Sequence, residues 1–117
     1  MINRKSKEEK IKTKKLAAKL KNYETNHNLT ADLLKEFSQI YRENIIDILQ
    51  GKIVGKHIQH IFEIEKKNYK FDGTVIGYKN NIYEITYYSE ISDEEECIFT
   101  KYEIGADYLN KDLYIVE

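Results

Sequence analysis

The hydrophobic spacing of this chain changes at Gly51, and that change limits the folds open to it. Upstream, Leu34, Phe37, Tyr41, Ile45 and Ile48 recur three or four residues apart, the spacing of one face of an α-helix. Downstream, Tyr83, Ile85 and Tyr87 alternate with Glu84 and Thr86, as one face of a β-strand does. The steps of three, Leu34 to Phe37 and Ile45 to Ile48, would switch faces in a strand, and a period of two cannot form one face of a helix. The spacing therefore predicts an α+β chain with its helices first, and Gly51, able to adopt positive φ, is the expected helix stop.

Two helices are expected. The first runs from about Lys7 to Tyr23, with Leu16, Leu20 and Tyr23 on one face and lysines elsewhere. The segment Glu24 to Leu29 interrupts it. Thr30 is the expected N-cap of the second helix, with Asp32 in its first turn where a carboxylate favours the dipole. Five strands follow: Ile53 to Phe62, Phe71 to Tyr78, Tyr83 to Tyr87, Cys97 to Thr100 and Asp112 to Val116. Lys79-Asn80-Asn81 is the expected hairpin turn, because Asn tolerates positive φ. Lys101 to Asn110 reads as a helical turn. Five short strands in so few residues match a small SH3-like β-barrel. The expected organisation is a basic helical region, residues 1–51, followed by a barrel, residues 52–117.

Composition narrows the function. Ten tyrosines and four phenylalanines without a tryptophan suit strands and ligand-facing surfaces better than a helical core. The single cysteine, Cys97, excludes an internal disulfide and a Cys-rich zinc site, and points to a reducing compartment. The start lacks the apolar stretch of a secretory signal, and no apolar run approaches the roughly 20 residues of a membrane span. Charge is divided: residues 1–22 hold nine Lys/Arg and two Glu, 9 − 2 = +7, whereas residues 89–117 hold nine Asp/Glu and two Lys, 2 − 9 = −7. The basic head suits nucleic acid and the acidic tail suits a basic peptide.

Four blocks in order, Ile53 to Phe62, Phe71 to Tyr78, Tyr83 to Tyr87 and Ala106 to Val116, together resemble the spindlin (Spin/Ssty) repeat. Ile53-Val54-Gly55-Lys56-His57-Ile58-Gln59-His60-Ile61-Phe62 is similar to its opening strand, and Phe71-Asp72-Gly73-Thr74-Val75-Ile76-Gly77-Tyr78 to its aromatic-X-Gly-Thr-Val segment. Tyr83-Glu84-Ile85-Thr86-Tyr87 resembles its Tyr-X-Ile-X-Tyr strand, and Ala106 to Val116 its Asp-Tyr and Gly-Asp-Leu ending. The resemblance covers residues 52–117 as one repeat, where such proteins usually carry three. It implies a Tudor-like barrel and a chromatin-associated, non-enzymatic reader in the nucleus, binding a methylated lysine or arginine of a histone tail. Phe62, Phe71, Tyr87 and Phe99 would form the aromatic cage. Ring faces attract a methylammonium by roughly 0.5–2 kcal/mol per contact. Glu63, Asp107 and Asp112 would receive the basic residues of the peptide, and the acidic run Asp93 to Glu96 would steer it. No cofactor is implied.

Other chemistry is weakly signalled. His57 and His60 face opposite sides of a strand with no third ligand pattern, so no metal site is expected. No phosphate loop, nucleophile elbow or catalytic carboxylate pair is present in the sequence. An alternative reading places a DNA-binding helix-turn-helix in residues 20–52, with Arg42 and Asn44 against a major groove. Against it, Lys35 and Gln39 stand where the motif has small residues, and Glu43 and Asp47 would meet phosphates. The stripe Leu34/Phe37/Tyr41/Ile45 could instead pair two chains as a homodimer, and the basic head could touch nucleic acid without sequence preference.

Overall fold

The computed structural model describes residues 14–22, 39–88 and 95–116. The expected N-cap at Thr30, the residues Asp32, Leu34 and Phe37, and the acidic positions Asp93 and Glu94 lie outside the described residues. Among the described residues three helices and one sheet are formed. Helix α1 covers residues 14–22 and α2 covers Gln39–Leu49. Strands β1 (His57–Ile64), β2 (Lys67–Lys79), β3 (Ile82–Tyr88) and β4 (Glu95–Thr100) lead to α3 (Lys101–Leu109) and β5 (Leu113–Val116). The expected α+β class is observed, with an antiparallel sheet of order β4-β3-β2-β1-β5. Its edge strands β4 and β5 do not pair, so the sheet remains open.

Both hairpins are tight. Asn80 and Asn81 adopt φ of 52° and 67° between Lys79 and Ile82, the conformation expected of them. Glu65 and Lys66 do the same, at 50° and 66°, between the paired Ile64 and Lys67. The connection is thus a two-residue turn, and β2 starts at Lys67 rather than at the expected Phe71. A bulge at Ile76, between Val75 and Gly77, bends this long strand. The first strand begins at His57 rather than Ile53, because residues 51–55 form turns. Within them Ile53 is buried, and Gly55 and Lys56 exchange backbone hydrogen bonds with Val75.

Helix α2 ends in a closed cap. Gly51, at φ +75°, allows the Gly51 and Lys52 N–H groups to return to the Ile48 and Asp47 carbonyls. The Gln50 N–H takes the Ile46 carbonyl. Tyr83 Oη also donates to the Ile48 carbonyl, and Lys101 Nζ reaches the Leu49 carbonyl at 3.0 Å. All four terminal carbonyls, which have no partner inside the helix, are therefore bonded, and a cation stands at the negative end of the dipole.

One core runs through helices and sheet. Leu20, Ile45, Ile48 and Leu49 are buried in the same cluster as Ile58, Phe62, Val75, Ile85 and Leu113. Each such apolar side chain contributes about 1.5–3 kcal/mol by burial. Residue 51 is therefore not a division of the core. Helix α1 reaches α3 at Gly105, where an added Cβ would stand 2.9 Å from Leu20 Cδ1. Ile45 is buried and Tyr41 packs its ring 5.2 Å from that of Tyr108. The described half of the stripe expected to pair two chains is thus used within one chain. No described helix is long and apolar enough to cross a membrane.

Candidate functional site: a closed aromatic cluster

Alternation along the strands sends Ile58, His60 and Phe62 of β1, Phe71, Gly73 and Val75 of β2, and Tyr83, Ile85 and Tyr87 of β3 to one buried face. Phe99 of β4 joins them. Phe62, Phe71, Tyr87 and Phe99 therefore converge in one cluster. Phe62 is the hub, its ring centroid 5.3 Å from Phe71, 5.3 Å from Tyr87 and 6.5 Å from Phe99.

The expected open cage is not formed. The four rings are between 0% and 3% exposed and pack against one another. The place beside Phe62 is taken by the imidazole of His60, with centroids 4.2 Å apart, and Phe99 lies 5.6 Å from the same imidazole. Gly73, cross-strand from Tyr87, lets this packing close: an added Cβ would meet Tyr87 Cδ1 at 2.9 Å. A larger residue there would push the Tyr87 ring away.

His60 is the residue the sequence reading missed. Its Nδ1 lies 2.6 Å from Tyr87 Oη and its Nε2 lies 2.8 Å from Asp107 Oδ2, and all three groups are buried. The signal was available: the apolar-X-His-X-aromatic alternation puts His60 on the core face, and a buried imidazole requires polar partners. What could not be read from spacing was that Asp107, from α3, would supply one. Thr100 and Glu103 start that helix with a reciprocal capping box and so aim it across the cluster.

The acidic positions are distributed differently from expectation. Asp107 turns inward to His60 and is unavailable to a peptide in this arrangement. Glu63 follows buried Phe62 in the strand, so its side chain leaves on the opposite face, half-exposed. Asp112 caps the turn before β5. Its carboxylate accepts from Asn110 Nδ2 at 2.7 Å and its carbonyl from the Ile61 N–H at 2.7 Å. The three do not form one peptide-binding rim.

On α2, Asn44 Nδ2 donates to Tyr108 Oη at 2.8 Å, so this proposed base-reading side chain is engaged inside the molecule. Burial holds the Tyr108 hydroxyl above its ordinary pKa, with the Asn44 bond acting the other way. Burial raises Tyr83 still more strongly, assisted by neighbouring Tyr78. His57 is exposed and bonds Thr74, on the face opposite His60. Among the described residues no group of three His, Cys, Asp or Glu side chains could hold a metal ion. Comparison with known proteins finds no matching family model, no matching curated protein and no matching solved structure.

Proposed function

We propose that the chain is a non-catalytic interaction module of SH3-like design that binds a basic partner peptide on the outer face of its sheet. One observation carries this reading: the inner face is committed to the core, while the outer face of β2, β3 and β4 presents a group of exposed side chains. There Ile98 is 67% exposed and Tyr88 50%, beside exposed Asp72, Glu84 and Glu96. Apolar contact with acidic surroundings suits an extended segment rich in lysine or arginine. The strand order, the return of β5 to β1 and the helix between β4 and β5 support the SH3-like, Tudor-like reading. The bulge that bends β2 supports it too.

A second reading is favoured by the convergence of four rings and a carboxylate on one spot. In it, the module is a chromatin-associated reader in the nucleus, and a methylated lysine or arginine of a histone tail enters only when the cluster opens. Calorimetric titration with matched trimethylated and unmodified histone-tail peptides separates the two. The interaction module binds both peptides equally, with affinity that falls as salt rises and is lost in the Glu84→Lys/Glu96→Lys double variant. A tenfold preference for the methylated peptide that Phe71→Ala removes would establish the reader instead.

A further inference from the structure

His60 lies at the centre of the aromatic cluster with both ring nitrogens in hydrogen-bond range of a partner. Among the described residues, the groups named around it come from six elements. Helix α3 brings Asp107, the charged member, and β3 brings the Tyr87 hydroxyl. Strands β1, β2, β4 and β5 bring Phe62, Phe71, Phe99 and Leu113, which do not titrate. In the unfolded chain near neutral pH an aspartate is ionised and a histidine is mostly neutral, so the pair carries a charge of −1. Keeping that proton count in the folded state would leave a net negative charge among apolar rings, away from water. Such a charge is strongly disfavoured away from water. One added proton makes the His60–Asp107 pair neutral overall, whichever of the two holds it. Ring faces beside the imidazole favour its cationic form, as they would a foreign ammonium.

We infer that His60, Asp107 and Tyr87 form a buried proton-binding site that takes up one proton as the chain folds near neutral pH. The ligand is the proton itself, and the pair titrates as a unit rather than as two independent residues. The folded state then holds more protons than the unfolded state, so stability falls as pH rises. The loss begins above the unfolded histidine value, near 6.5, and continues through the folded value of the pair. Its steepest slope is a tenfold change in the unfolding constant per pH unit. The aromatic cluster is accordingly tightest in mild acid and loosens toward alkaline pH.

The test is unfolding of the full chain, carrying His57→Gln, in urea from about pH 6.5 to about pH 8. Calorimetric unfolding in two buffers of different ionisation enthalpy counts the protons released. The expected result is release of about one proton on unfolding, with the unfolding constant rising toward tenfold per unit. Both effects should disappear in His60→Gln and in Asp107→Asn. Flat stability without proton release over this range, or proton uptake on unfolding, would overturn the inference. Retention of the full slope in the two variants would overturn it as well. Should neither variant fold, the proton count of the His57→Gln chain decides alone.

Discussion

Tyr83 and Tyr87 stand four residues apart on the same buried face of β3, yet their hydroxyls do different work. Tyr83 donates to the backbone carbonyl of Ile48, which accepts and never titrates. Tyr87 bonds the imidazole of His60, which is tied in turn to the carboxylate of Asp107. One end of the strand fastens a helix terminus through partners of fixed charge. The other end encloses a group whose proton count depends on the medium. Residue type and strand face are the same, so what separates them is the element that the topology places opposite: α2 at one end, α3 and β1 at the other.

The largest expected effect lies at the Tyr87 end. Asp107→Ala leaves the His60 imidazole buried beside no carboxylate, and removing one partner of a buried pair costs about 3–5 kcal/mol. Urea denaturation at neutral pH measures it. A loss below about 1 kcal/mol would mean that water replaces the carboxylate and that the two ends are equivalent. Next comes Gly51→Ala at the other end. Its Cβ would stand 2.5 Å from Tyr78 ring carbons in a backbone of φ +75°, and Tyr78 packs 4.6 Å from Tyr83. Overpacking and strain there should cost about 1–3 kcal/mol, read from the thermal midpoint.

Tyr83→Phe should be milder, about 1 kcal/mol, because the Ile48 carbonyl keeps its bond from the Gly51 N–H. This variant also tests the charge contrast between the two ends. The Tyr83 hydroxyl has a folded pKa raised above the ordinary 10.0, so its contribution is complete below pH 10.0 and is lost as pH rises further. Alkaline unfolding should therefore begin at higher pH in Tyr83→Phe than in the parent chain. Smallest is Lys111→Gly, outside both ends. Lys111 occupies φ 64° in the cap after α3, where its N–H returns to Tyr108 and that of Asp112 to Asp107. Glycine should stabilise this cap by about 0.5–1 kcal/mol without altering any pH dependence. Hydrogen exchange of the α3 amides would register the gain.

Much of the fold was legible, and the misses share a cause. Gly51 and Asn80-Asn81 announced their positive-φ turns because those residue types favour them. The turn at Glu65-Lys66 and the cap at Lys111 use residues with no such preference, and strand pairing or helix packing imposes the conformation. Lys101 was read as one lysine in a helical turn, although its amine is buried against the end of α2, a contact between residues 52 positions apart. For Glu63, strand parity with Phe62 alone places the side chain on the other face.

By itself, the sequence determined which faces turn inward. Period-two spacing in β1, β2 and β3, with Phe99 in β4, brings Phe62, Phe71, Tyr87 and Phe99 together, because alternation is a local property of an extended backbone. Only the tertiary structure decided what those rings enclose. A cage and a core use the same residues at the same spacing, and the difference is whether another part of the chain fills the space. Here His60 fills it, held by an aspartate 47 positions away that α3 carries across the sheet. A contact of that range depends on where two elements pack, which no local pattern encodes.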